Sequence, residues 1–254
     1  MELTKWKRAR SARALLWRRQ SRKLVRLPYS RGRHVDQHLC LLGARRKDAE
    51  ELVPQLQAHF RALDEADDRF ARWAPRGRSL KKAIASKPVN TSSCEVLHRW
   101  LLKGRNKTDM PPRQPVPELG YNVSLWNQRQ ANIEASTSVH CSSWSKYLSE
   151  DSQNNASLEF SYIAGAEPVN TKVLLGLFLK FIDIWEPSWG SIWRHVHEGH
   201  PAGARWNPRH VQYAFFQSPG GRGHDERFMG QQQTLPKGGR LWTDETAVPF
   251  LEET

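Results

Sequence analysis

The stretch LGYNVSLWNQRQANIEASTSVHC, residues 119–141, decides the fold. Leu119, Tyr121, Val123 and Leu125 alternate with Gly120, Asn122, Ser124 and Trp126. Ile133, Ala135, Thr137, Val139 and Cys141 alternate with Asn132, Glu134, Ser136, Ser138 and His140. A period of two puts one set on a buried face and the other in water. The polar run Asn127–Gln130 between them reads as the turn of an antiparallel hairpin. Leu158, Phe160 and Tyr162, spaced by Glu159 and Ser161, predict a third strand, and the polar span Ser142–Asn155 before it reads as a mobile loop.

Upstream the period changes to three and four. Ala49, Val53, Leu56, Phe60 and Leu63 form one apolar stripe within a long helix expected over Arg46–Trp73, opened by a capping box of Asp48 and Glu51. Pro54 predicts a kink or a later start. Asp64, Glu65, Asp67 and Asp68 read as a solvated face or a terminating loop, because the helix dipole disfavours them there. Phe70 and Trp73 then return to the core. A short helix is expected over Ser79–Ser86, and a second capping box, Ser92 with Glu95, opens another that Lys103-Gly104 closes. Met110–Pro117 holds four prolines and reads as a linker or an irregular loop.

Downstream of the third strand, Asn170 or Thr171 caps a helix over Lys172–Trp185 with a wide apolar face suited to covering a sheet. Trp189–Trp193 reads as a turn into a strand. Val211–Phe216 and Gly239–Thr243 are further strand candidates, with turn chemistry at Gly220–Gly223 and Lys237–Gly239. Helices, then a strand meander, then a covering helix predict an α+β fold: an antiparallel sheet with helices packed mainly on one face.

The charge is partitioned. Residues 1–34 carry 12 of the 39 Lys and Arg against one carboxylate, Glu2, a net of +11; the other 27 bases and 25 acids leave the body at +2. The expected organisation is therefore a basic, disordered leader or extended start over 1–34, then a single α+β domain over 35–254. No run approaches the ~20 apolar residues of a membrane span; Val173–Leu179 is interrupted by Gly176. Cys40, Cys94 and Cys141 are odd in number and widely separated, as expected of reduced thiols in a cytoplasmic protein. Eleven tryptophans predict core anchors first and an interface second.

No catalytic constellation is legible. His195, His197 and His200 have spacing that zinc could use, but no cysteine or paired carboxylate stands near them. Gly220–Gly223 lacks the Gly-Lys-Ser/Thr ending of a phosphate loop. His140 and Cys141 are strand neighbours and point to opposite faces, so they form no dyad. Basic clusters at Arg78, Lys81, Lys82 and Lys87 and at Lys103, Arg105 and Lys107 read as solvated surface.

The order of several short motifs resembles the immunity protein 52 family of bacteria. They are Leu42-Gly43-Ala44-Arg45; Arg69-Phe70-Ala71-Arg72-Trp73; Gly77-Arg78-Ser79; Leu102-Lys103-Gly104-Arg105-Asn106; Leu119-Gly120-Tyr121 running into Leu125-Trp126-Asn127; and Trp185-Glu186-Pro187 followed by Trp189-Gly190. The resemblance covers roughly residues 38–193. It implies a small α+β protein encoded beside a polymorphic toxin, often a restriction-endonuclease-like nuclease, which protects its producer by binding the toxin. It carries no catalytic residues and no cofactor. Trp73, Trp126, Trp185, Trp189 and Gly190 match the family motifs, as core anchors. Residues 201–254 lack the family's Gly-Trp-x-x-Tyr strand and read as divergent.

The expected function is stoichiometric neutralisation of a nuclease toxin, without enzymatic chemistry, cofactor, metal or membrane. Glu118, Glu134, Asp151 and Glu159 are the carboxylates placed on or beside the sheet, and hence the expected toxin contacts. The alternatives are a nucleic-acid-binding protein acting through residues 1–34 and a hydrolase using the His195–His200 region.

Overall fold

Among the described residues of this computed structural model, nine strands join in one antiparallel sheet. They are β1 (Val35–Leu42), β2 (Ala74–Pro75), β3 (Tyr121–Trp126), β4 (Ile133–Cys141), β5 (Asn154–Tyr162), β6 (Trp189–Val196), β7 (Arg209–Gln217), β8 (Gln231–Thr234) and β9 (Arg240–Thr243). Four helices accompany them: α1 (Ala49–Ala66), α2 (Leu80–Ile84), α3 (Cys94–Lys103) and α4 (Thr171–Trp185). The structure describes residues 35–43, 45–77, 79–109, 111–145, 154–163, 166–196, 209–220 and 231–243. All belong to the second of two units into which the chain divides, His34–Thr254. The basic leader lies outside the described residues.

The spatial order is β2-β3-β4-β5-β1-β6-β7-β9-β8. The meander β3-β4-β5 follows the alternation read from the sequence, and β4 alternates buried and half-buried along its whole length. Sequence reading did not find the short edge strands β2 and β8, nor the central strand β1. It sits in the middle, pairing with β5 from Val35↔Ser161 to Leu42↔Asn154 and with β6 from Val35↔His195 to Leu41↔Trp189. Because β1 is antiparallel to both, β5 and β6 run the same way, and α4 supplies the crossover that parallel strands require.

One face of the sheet is covered by helices. Val123, Leu125, Ile133, Ala135, Val139, Ala156, Leu158, Phe160 and Ile192 meet Leu52, Leu56, Phe60 and Leu63 of α1 and Leu174, Leu177, Phe178, Phe181 and Trp185 of α4 in one apolar core. Each buried side chain of this size contributes about 1.5–3 kcal/mol. α3 packs on the other flank of α1 through Leu97 and Leu101.

Helix limits follow local chemistry. Asp48 and Glu51 do form the reciprocal capping box, so α1 starts at Ala49 and passes through Pro54 without a later start. It stops at Ala66, short of Trp73, because Asp67 is extended and caps the following turn Asp68–Phe70 while pairing with Arg69 at 2.6 Å. The α3 cap is Ser93, not Ser92: Ser93 accepts from the Val96 N–H, while Ser92 donates to the Asn90 carboxamide. Ser142, Ser143 and Ser145, expected in a mobile loop, are buried; residues 146–153 lie outside the described residues. In the proline-rich segment, Lys107 and Pro115 form an antiparallel bridge, and Met110 lies outside the described residues.

A buried polar relay crosses the core. The Trp185 indole N–H donates to His59 Nδ1 at 3.1 Å, which places the imidazole proton on Nε2. Nε2 meets Thr137 Oγ1 at 2.8 Å, and that hydroxyl donates to the Ser157 carbonyl at 2.8 Å. His59 also stacks on Phe181, centroids 4.4 Å apart. The relay joins α4, α1, β4 and β5, and every polar atom in it has a partner.

Desolvation lowers the His59 pKa from its ordinary 6.5 to about 3. The unfolded chain thus binds a proton in that window that the folded chain refuses. Stability is full above the unfolded pKa and falls as pH drops from 6.5 toward 3, by up to about 1.4 kcal/mol per pH unit. His59→Gln, which keeps one donor and one acceptor but does not titrate, is expected to flatten that slope in urea unfolding between those pH values. An unchanged slope would contradict the neutral buried imidazole.

Gly120, at φ +62°, precedes β3; a Cβ there would lie 2.2 Å from the Cys141 carbonyl oxygen. Gly120→Ala should therefore cost about 2 kcal/mol or more. Gly43→Ala, whose added carbon meets nothing within 4 Å, should change the unfolding midpoint little.

Candidate functional site

The face of β3–β5 turned away from the helices is built of short polar side chains. Ser124, Ser138 and Ser157 stand in one row across three strands, and Ser136 pairs with Glu159 as Glu134 pairs with Ser161. Glu134 and Glu159 are therefore diagonal neighbours on adjacent strands, a spacing of roughly 7–8 Å. Glu134 is held by Arg129 at 3.1 Å. The Glu159 side chain reaches solvent, yet desolvation around its carboxyl raises the pKa above the ordinary value, offset in part by the Arg76 charge. At one end of this face Trp126 is covered by Ala74 and by Ala83 of α2. Gln128 fastens α2 there, donating to the carbonyls of Ala83, Ile84 and Ser86.

Of the carboxylates expected as toxin contacts, the three described ones do not share one place on the sheet. Glu118 lies in the turn Pro117–Leu119 before β3, exposed, beside the Cys141 end of β4. Glu134 lies at the opposite end of β4, because the hairpin reverses the chain. Asp151 is outside the described residues. Only Glu134 and Glu159 share a face.

A second feature was not legible in the sequence. A cleft of about 460 Å³ opens between the start of α1 and the irregular segment before β3, lined by Arg46, Asp48, Arg105, Val116, Tyr121 and Trp144 among others. The Arg46 guanidinium lies 5.3 Å from the Trp144 ring centroid, and that of Arg105 lies 6.0 Å from Tyr121. Both arginine backbones are stitched in place. Beside Arg46, the Arg45 N–H donates to the Ser143 carbonyl and the Lys47 N–H to Ser142 Oγ at 2.8 Å. Ser142 itself adopts φ +59°. On the other wall, Asn106 donates to the carbonyls of Leu119 and Gly120, and Asn122 N–H donates to the Gly104 carbonyl at 2.8 Å. Gly104 permits this approach, since a Cβ there would lie 2.2 Å from the Asn122 oxygen. Trp144 is anchored through its backbone N–H, which donates to the Glu118 carbonyl at 3.1 Å.

The remaining candidates separate as follows. His195 is in β6, whereas His197 and His200 lie outside the described residues, as do Gly221–Gly223. Among the described residues no group of three His, Cys, Asp or Glu is close enough to hold a metal ion. His140 faces away from buried Cys141 and is tied to Asn106 and the Leu119 carbonyl. The three cysteines are free, Cys94 exposed and the other two buried; desolvation raises the Cys141 thiol to about 12. Such a thiol is inert as a nucleophile. Trp73, Trp126, Trp185 and Gly190 are buried, while Trp189 is half-buried and stacks on Phe215 at 6.1 Å. No helix among the described residues is long and apolar enough to cross a membrane.

No curated protein matches the chain. The family model of immunity protein 52 matches residues 38–212. The matched region begins within β1 and ends within β7, so it takes in α1, α3, α4, both walls of the cleft and the serine-rich face. It extends past the 38–193 on which the sequence motifs rest. With most of its length covered, the chain belongs to the immunity protein 52 family, the immunity proteins of polymorphic toxin systems.

Proposed function

We propose that the protein neutralises a nuclease toxin by forming a stoichiometric complex with it, with the serine-rich face of β3–β5 laid against the toxin. The observation that carries the reading is the family match over residues 38–212, which takes in β3–β5 and the helices behind them. The face has the properties such a role needs. It is backed by a packed core, so its strands are held rigid before binding, which lowers the ordering cost of association. Its short side chains let a partner approach the sheet closely. Glu134, paired with Arg129, and Glu159 are its carboxylates, the groups that meet the basic surface a DNA-handling enzyme presents. Inhibition follows from occupying that surface, and needs no chemistry from the immunity protein. Its place is the cytoplasm, where the toxin meets DNA and where three unpaired thiols stay reduced. Residues 1–34 lie outside the family match and are not required.

Co-expression with the toxin encoded by the adjoining gene should restore growth, with or without residues 1–34, and the purified pair should elute as one complex. Continued killing in the presence of soluble protein would sink the reading. Glu134→Lys with Glu159→Lys should slow association by at least ~10-fold at low salt and by less at high salt, read by stopped flow.

A further inference from the structure

The cleft beside α1 plays no part in the face just described. Its two arginines are the unusual feature. Among the described residues neither the Arg46 nor the Arg105 side chain has a carboxylate partner, although each is held over an aromatic ring. The acids that line the cleft are spent elsewhere: Asp48 accepts from the Glu51 N–H and Glu51 from the Asp48 N–H, both at 2.9 Å, capping α1. A guanidinium laid on a ring is oriented by its face and leaves its N–H edge for a planar acceptor.

We propose that this cleft docks an acidic peptide segment of the partner protein, its carboxylates taken by Arg46 and Arg105. The proposal rests on the binding reading above only in taking the toxin as that partner. The neighbouring wall supports it: Lys103–Pro117 carries four bases, Lys103, Arg105, Lys107 and Arg113, against Asp109, so an acidic segment is drawn toward the opening. Pro115, Val116 and Pro117 add an apolar side against which the aliphatic stem of a glutamate can lie. Nucleic acid fits less well. The faces of Trp144 and Tyr121, which bases would stack upon, are occupied by guanidinium groups. A volume of about 460 Å³ suits a few side chains rather than a continuous phosphate backbone. A nuclease supplies the matching chemistry, since it gathers carboxylates to hold its divalent metal ions. The cleft and the serine-rich face then read opposite charges on one toxin.

The test uses the full chain and an oligoglutamate peptide, followed by the indole N–H resonance of Trp144, assigned with Trp144→Phe. Oligoglutamate should shift that resonance, with affinity falling as salt rises. Arg46→Glu and Arg105→Glu should each weaken binding at least ~10-fold; Arg99→Glu, on the exposed side of α3, should not. Arg46→Gln and Arg105→Gln, which add no charge, should lose binding in the same order and guard against misfolding, checked by near-UV circular dichroism. No shift with oligoglutamate, equal binding by the folded arginine variants, or tighter binding of oligothymidylate at the same resonance would each overturn the proposal. Peptide binding with no protection against the adjoining toxin would instead reject that toxin as the partner and leave the cleft's chemistry standing.

Discussion

The backbone of β1 satisfies two strands at once. Its eight residues pair with β5 on one side and seven of them with β6 on the other. Backbone N–H and C=O groups buried without partners are too costly to persist, and β1, placed between β5 and β6, satisfies the facing edges of both. Remove it and the sheet falls into two parts, β2–β5 and β6–β9, each with an open edge. The partners are far away in sequence: Val35 meets Ser161 and His195. Closing such long loops comes at an entropic cost before the contacts can repay it, whereas the β3–β5 meander is built from neighbouring segments of the chain.

The His59 relay complements β1 in the perpendicular direction. Strand pairing fixes the sheet in its plane but not the register of the helices above it. Apolar packing alone would tolerate small shifts of α1 and α4 along the sheet, because hydrophobic contact is not directional. The chain Trp185–His59–Thr137–Ser157 admits one arrangement, since each hydrogen bond needs its own partner at hydrogen-bonding distance. A shift of one helical turn would leave buried polar atoms unpaired at about 1–3 kcal/mol each. Trp185 is thus both an apolar anchor, 2% exposed, and the donor that sets the imidazole tautomer.

What was legible in the sequence followed period and local chemistry. β3, β4, β5, α1 and α4 declare themselves because each has one wet side and one dry side, and the Asp48–Glu51 box marks its helix start correctly. β1 did not, because VDQHLCLL gives a polar start and then the unbroken apolar run Leu39–Leu42, in which no alternation can be read. The Ser92–Glu95 pattern misled because a competing local bond, Ser92 to Asn90, was invisible until the backbone was placed. The alternation placed Glu134 and Glu159 on the polar face of the sheet, where the structure has them, but the position of Glu118 required the direction of the hairpin as well. The cleft was wholly hidden. Arg46 with Trp144, and Arg105 with Tyr121, are pairings set by the stitching of Lys47 to Ser142 and of Gly104 to Asn122. None of that appears in composition or spacing, where Lys103, Arg105 and Lys107 look like ordinary solvated charge.

The near-neutral charge of the body, +2 beyond residue 34, conceals an uneven placement of its charges, on which the proposed binding depends. A uniform mixture of signs would offer a partner no gradient. Here Glu134, paired with Arg129, and Glu159 face out from the sheet, while Arg46 and Arg105 line the cleft beside the capping acids Asp48 and Glu51. A protein that reads two opposite charges at two fixed places rejects partners that supply either one alone, since the mismatched site would leave a charge desolvated and unpaired. The rigidity that β1 and the relay confer is what makes such a test meaningful: two sites discriminate jointly only when the distance between them does not adjust to the partner.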